Sequence, residues 1–75
     1  MISLTPDERA TLYHASGLDF GDTTDMQMLP VLLAILDGFL RDGPLTREEL
    51  EWRTRAALLA GRLVRVRDGQ KETVA

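Results

Sequence analysis

The spacing of apolar side chains divides the chain into three helical segments and a final segment of shorter period. Apolar residues recur every three to four positions through most of the chain, as in amphipathic helices, and then alternate with basic residues near the C-terminus. We predict helices over residues 5–16, 25–41 and 46–60, followed by a β-hairpin over residues 62–74. The expected fold class is therefore α+β, formed as one small domain over residues 1–75.

All three helix starts carry capping-box spacing, the second of them at Thr24 and Gln27. Thr5 and Glu8 have the spacing of a capping box, in which a threonine and a glutamate three residues later satisfy each other's backbone N–H groups. Gly17 follows as the expected left-handed stop of the first helix. Thr46 and Glu49 repeat the same spacing. The first and third helices are therefore expected to start just after their threonines.

The second helix is apolar around most of its circumference. Its apolar side chains between Met28 and Leu40 cover about 200° of the helical wheel, so we expect this helix to be central and covered on more than one side. Pro30 lies close to the predicted start and lacks the N–H group that a helix interior requires. The first turn is therefore expected to be irregular, or the helix to begin later than Asp25.

The predicted hairpin begins after Gly61, the expected stop of the third helix. Asp68 and Gly69 form a dipeptide that favours a two-residue hairpin turn. Folding the chain about this turn places Arg65 opposite Glu72, so that opposite charges meet across the two strands. Because an isolated hairpin is only marginally stable in water, we expect it to pack against the helices.

The segment from Pro44 to Thr73 resembles the end of a winged-helix domain. It contains a capped helix introduced by Gly-Pro-Leu-Thr-Arg-Glu-Glu-Leu, and then Leu-Leu-Ala-Gly-Arg-Leu-Val-Arg-Val-Arg-Asp-Gly. In that family a recognition helix leads into a strand and turn that form the wing. This chain has one helix where the family places two. The resemblance therefore implies a winged-helix-like fold without a complete helix-turn-helix, and such folds also serve as protein-interaction modules.

The third helix carries apolar side chains on two sides, whereas a surface helix needs only one. One side holds Leu50, Thr54, Ala57 and Leu58, and the other holds Trp52, Ala56, Leu59 and Ala60. Two interpretations of Trp52 stay open. It covers the edge of the second helix or the base of the hairpin, or it forms a self-association surface with Leu59 and Ala56, since tryptophan is enriched among interface anchors. We expect a non-enzymatic interaction module that binds a second copy of itself, as a homodimer, or another protein.

Charge is unevenly distributed along the chain. Residues 1–40 contain one basic side chain and six carboxylates, whereas residues 53–67 contain five arginines and no carboxylate. If the hairpin acts as a wing, nucleic-acid phosphates would be contacted by Arg53, Arg55, Arg62, Arg65 and Arg67. The simpler interpretation is a solvated edge strand protected by charge. A net charge of −3 also disfavours a dedicated nucleic-acid binder.

The composition argues against most kinds of catalytic and metal site. There is no cysteine, which excludes a thiol nucleophile and a thiolate metal site, and His14 is the single histidine. Asp19, Asp22 and Asp25 recur at every third position, which is not the pattern of a calcium loop, and we assign them to turns and caps. We predict no catalytic residue, no metal, no cofactor and no small-molecule substrate.

The N-terminus lacks the basic and apolar regions of a signal peptide. The longest apolar run, residues 28–36, is also shorter than the roughly 20 residues of a membrane-spanning helix. A cytoplasmic location without membrane contact is the expectation.

Overall fold

Three helices and one small two-stranded sheet form the fold of this computed structural model, which describes residues 1–43 and 46–69. In chain order the elements are β1 (Ile2–Ser3), α1 (Pro6–Ser16), β2 (Thr23–Thr24), α2 (Leu29–Arg41) and α3 (Arg47–Arg67). Each helix packs against the other two. The buried core is shared among all three helices and β1, and it consists of Ile2, Leu4, Leu12, Leu29, Leu32, Leu36, Ala56, Leu59 and Leu63.

The predicted capping box at the start of α1 is present. Thr5 Oγ1 accepts a hydrogen bond from the Glu8 N–H at 3.1 Å, and Glu8 Oε1 accepts one from the Thr5 N–H at 2.9 Å. At the other end, Gly17 adopts a left-handed φ of 77° and donates its N–H to the Tyr13 carbonyl at 2.7 Å. Both boundaries of α1 are therefore confirmed.

The irregular start expected for the second helix is also present. A short 3-10 turn over Met26–Met28 precedes α2, and Asp25 caps it by accepting a hydrogen bond from the Gln27 N–H at 2.9 Å. The α-helix itself begins at Leu29, so that Pro30 lies in its first turn, where the missing N–H costs no hydrogen bond.

The predicted C-terminal hairpin, and with it the α+β fold class, is wrong. Residues 62–67, the expected first strand, continue α3 without a break. Leu59 and Leu63 are buried four residues apart and Val66 packs against the core three residues further on, so this segment follows the helical period through Gly61. The strand of the wing that the winged-helix resemblance implied is therefore not formed by these residues.

The Asp68–Gly69 dipeptide ends α3 instead of turning a hairpin. The Asp68 N–H donates to the Val64 carbonyl at 2.9 Å, and the Gly69 N–H donates to the Val66 carbonyl at 3.1 Å. Gly69 has a φ of 75°, so the left-handed conformation that favours a hairpin turn here serves a helix end. Residues 70–74, the second strand of the predicted hairpin, lie outside the described residues.

The small sheet lies near the N-terminus, where no strand was predicted. Ile2 pairs with Thr24 and Ser3 pairs with Thr23 in an antiparallel register. Ile2 is buried in the core while Ser3 is exposed, which is the alternation of a strand with one face inward. The sheet attaches the connection between α1 and α2 to the start of the chain.

The helix α3 runs antiparallel to both α1 and α2. Glu8, near the start of α1, contacts Arg62 near the end of α3, whereas His14 near the end of α1 contacts Glu49 near the start of α3. The end of α2 likewise contacts the first half of α3, where Arg53 Nη1 donates to the Leu40 carbonyl at 3.0 Å. Because α1 and α2 therefore run in the same direction, the chain between them has to return along the length of the bundle.

Candidate interaction surfaces

The side of α3 that carries Trp52 faces into the molecule. Ala56 and Leu59, which we predicted as part of a self-association surface, are 0% and 2% exposed and belong to the core. Trp52 itself is partly buried. The folded chain therefore leaves neither Ala56 nor Leu59 available to a partner.

Trp52 takes part in an aromatic cluster that joins α3 to the ends of α1 and α2. Its ring is stacked on His14, with 4.3 Å between ring centroids and 6° between planes, and His14 meets Phe39 edge-on at 5.6 Å. The Arg55 guanidinium carbon lies 4.8 Å from the centroid of the Trp52 ring. The Glu49 carboxylate lies 3.5 Å from His14 Nε2. Trp52 therefore has a packing role within the chain.

The opposite side of α3 is the exposed one. Leu58 is 72% exposed and Leu50 is 51% exposed, which places both among the most exposed large apolar side chains of the described residues. We call this side of the helix the outer face, made up of Leu50, Thr54, Ala57, Leu58 and Gly61. The sequence pattern indicated two apolar sides, and the structure buries the side with Ala56 and Leu59 and exposes the side with Leu50 and Leu58.

Arg62 is held inside the molecule by a partly buried ion pair. Arg62 Nε donates to Glu8 Oε2 at 2.7 Å, and Nη2 donates to Glu8 Oε1 at 2.9 Å and to the Ser3 carbonyl at 2.7 Å. Burial alone raises the pKa of Glu8, but the hydrogen bonds from Arg62 and the Thr5 backbone, with the Arg62 charge, lower it below its usual value of 4.5. Arg62 therefore links α3 to the capping box of α1 and to the end of β1.

The other arginines that we considered for phosphate contact lie on different sides of α3. Arg53 lies 5.6 Å from the Phe39 ring centroid, and its Nε atom is buried without an acceptor among the described residues. Arg55 and Arg65 line a groove that also contains the carboxylates of α1, and Arg67 Nε donates to Asp68 Oδ1 at 3.2 Å. These residues do not form one basic surface free of carboxylates.

The three regularly spaced aspartates stabilise the connection between α1 and α2. Asp19 accepts two hydrogen bonds from Arg9, at 2.7 and 2.8 Å, and Asp22 accepts one at 3.1 Å. Bonding to Arg9 and to the Gly21 backbone holds the pKa of Asp19 well below its usual range, and Asp19 in turn raises the pKa of Arg9. Sequence reasoning missed Arg9, although it is the single basic residue before position 41.

No metal site is present in the part of the chain that the structure describes, since it contains no group of three or more histidine, cysteine, aspartate or glutamate side chains suited to a metal ion. The groove between α2 and α3 has a volume of about 520 Å³, within the range of ligand sites. Its walls are mostly apolar, with Leu33, Leu40 and Val64 among them, and its charged groups are Asp37 and Arg67. This groove lacks the convergent polar groups that orient a small-molecule ligand.

Comparisons with protein-family models, with curated proteins and with solved structures each found no significant match. Within residues 1–43 and 46–69, no helix combines the length and apolar content needed to cross a membrane.

Proposed function

We propose that this protein is a non-enzymatic interaction module that self-associates through the outer face of α3. The observation that carries this proposal is the exposure of Leu58, which is 72% exposed on a helix whose inner side already supplies the core. Single exposed leucines are common on protein surfaces, but here a second exposed leucine, Leu50, lies on the same side of the same helix.

The spacing along the outer face suits packing against another helix. Successive positions on the outer face are separated by four, three and four residues, as in the seam of a coiled coil, and they are Leu50, Thr54, Ala57 and Gly61. Three of these residues are small, so a second helix can approach closely. The helix has 21 residues, which gives a contact line about 31 Å long.

A second copy of the chain is a partner of suitable chemistry because the core of a domain this small is marginal. Nine apolar residues are buried within the described part of the chain, and a domain of this size gains little stability from its core alone. Burying the two exposed leucines of each copy would add to that stability at about 25 cal/mol per Å² of apolar surface removed from water.

Sedimentation velocity across about 1 to 500 µM protein tests this proposal, because association depends on concentration. We expect the sedimentation coefficient of the unchanged chain to rise with concentration, and the Leu58→Lys variant to sediment as a monomer throughout. Leu18→Lys is the matched control, since Leu18 is also an exposed leucine, at 57%, but lies outside α3. A monomer at every concentration, or equal loss of association in both variants, would overturn the proposal.

A further inference from the structure

Leu58 lies midway between two charged residues on the same side of α3. Glu51 precedes it by seven residues and Arg65 follows it by seven. Seven residues are nearly two helical turns, so the three side chains lie along one line, with the charges each about 10 Å from Leu58.

Glu51 and Arg65 are both available for contact with another molecule. Both residues are exposed, and neither forms an ion pair or side-chain hydrogen bond with any residue of the described chain. This distinguishes Arg65 from Arg62, which is bound to Glu8, and from Arg67, which contacts Asp68. Within residues 1–43 and 46–69, the two charges flanking Leu58 therefore have no direct partner.

We propose that the second copy binds antiparallel, with its α3 along the outer face and the twofold axis of the dimer at Leu58. This inference rests on the self-association proposed above. In a twofold dimer, residues equally far from the axis on either side face each other. Glu51 of one copy then lies opposite Arg65 of the second copy, and the same pair forms again on the other side of the axis.

Charge complementarity selects this direction over a parallel one. In a parallel dimer Glu51 would lie level with Glu51 of the second copy and Arg65 level with Arg65, so that neither charge would meet an opposite one. The two ends of the helix have the same polarity, because Glu48 and Glu49 lie in its first turn and Arg65 and Arg67 lie in its last turn. An antiparallel pair places each acidic end beside a basic end, and it also opposes the two helix dipoles favourably.

Charge reversal tests the pairing. Glu51→Arg and Arg65→Glu each turn both ion pairs into like-charge contacts, so we expect each variant alone to dimerise about tenfold more weakly at low salt. An equimolar mixture of the two should form a heterodimer with the affinity of the unchanged chain, because both pairs in it are again of opposite charge. Association that is unaffected by either reversal, or not restored by mixing, would overturn the pairing.

Cysteine probes test the direction independently, since the chain has no cysteine of its own. With a short bis-maleimide reagent, we expect Leu58→Cys to cross-link to itself, and Glu51→Cys to cross-link to Arg65→Cys but not to a second Glu51→Cys chain. Efficient cross-linking of Glu51→Cys to itself would show a parallel dimer, which overturns this inference and leaves the proposed function standing. An unchanged chain that stays monomeric at all concentrations overturns both.

Discussion

At the scale of single residues, the contact between Glu8 and Arg62 joins parts of the chain that lie 54 positions apart. The sequence indicated a capping role for Glu8 and an exposed strand position for Arg62. Glu8 does form the capping hydrogen bond, but the same carboxylate also binds Arg62. The pair is largely buried, with 16% of the Glu8 side chain and 25% of the Arg62 side chain exposed. A local capping motif thus also fixes the docking of α3 on α1.

Glu8→Gln is expected to lower the free energy of unfolding by about 1–3 kcal/mol at pH 7, because it leaves a partly buried Arg62 without its charged partner. The folded-state pKa of Glu8 is lowered, so its contribution is complete above the unfolded pKa and is lost as pH falls through the folded pKa. Urea unfolding from pH 7 to pH 3 should therefore show the variant approaching the unchanged chain below about pH 4.

The exposed pair of Asp37 and Arg41 supplies the control for this measurement. Asp37→Asn removes an i,i+4 pair that is 63% and 78% exposed, and such pairs contribute little to stability. If Glu8→Gln lowered the free energy of unfolding at pH 7 by no more than Asp37→Asn does, the stabilising role of the pair of Glu8 and Arg62 would be contradicted.

Arg9 is the second residue whose role depends on distant partners. Its bonds to Asp19 and Asp22 hold the connection between α1 and α2, and the Leu4 N–H donates to the Asp22 carbonyl beside it at 2.7 Å. We expect Arg9→Gln to speed amide hydrogen exchange at Leu4 and in β2, because the anchor of this connection is lost. The exposed Arg41→Gln serves as the control, and equal exchange rates in both variants would contradict the anchoring role.

At the scale of elements, α3 is where prediction from the sequence failed. Residues 64–67 alternate apolar and basic, which favours a strand, and the glycine at position 61 favours a helix stop. A second pattern extends over more residues and favours a helix. The apolar residues that follow the helical spacing across that glycine are Ala56, Leu59, Leu63 and Val66. The longer pattern prevails because it buries apolar side chains in the core, and a glycine inside a helix costs only about 1 kcal/mol.

The caps at Thr5 and Thr46 were predictable because they depend on a neighbour three residues along the chain. The cap expected at Thr24 was wrong, because Asp25 accepts the hydrogen bond from the Gln27 N–H instead. The small sheet was not predictable from the sequence, since strands of two residues form only when distant parts of the chain are brought together. The sequence also did not show which side of α3 faces the core. Tryptophan is a residue type typical of interface anchors. Only the extension of the helix to Arg67 shows that the apolar side with Trp52 also includes Leu63, which is buried in the core.

Gly61→Ala tests the continuous helix. An alanine side chain at this position would meet one atom of the flexible Arg65 side chain, at 3.9 Å, and the backbone is helical. We expect the substitution to raise the free energy of unfolding by about 0.5–1 kcal/mol, measured by urea titration at low protein concentration.

Gly17→Ala is the matched control for this substitution, because Gly17 has a φ of 77° that alanine adopts only with strain. We expect it to lower the free energy of unfolding by about 1 kcal/mol. If Gly61→Ala were destabilising to the same degree, position 61 would be a helix stop and the continuous α3 would be contradicted.

At the scale of the whole molecule, one long helix has two tasks. Its inner side, with Leu59 and Leu63, completes a core shared by all three helices, while its outer face presents Leu58 to the surroundings. Folding and the proposed self-association therefore depend on consecutive residues, of which Leu59 is buried in the core and Leu58 is exposed. This separation makes it possible to change one without the other.

The most direct test compares Leu58→Ala with Leu59→Ala by urea unfolding at several protein concentrations. Leu59 is 2% exposed, so its truncation should lower the free energy of unfolding by about 2–5 kcal/mol at every concentration, or unfold the chain. Leu58→Ala should change stability by less than about 0.5 kcal/mol at low concentration. It should also remove the rise in stability that the unchanged chain gains as concentration increases. The reverse result, with Leu58 essential for folding and Leu59 dispensable, would contradict the assignment of the inner and outer sides of α3.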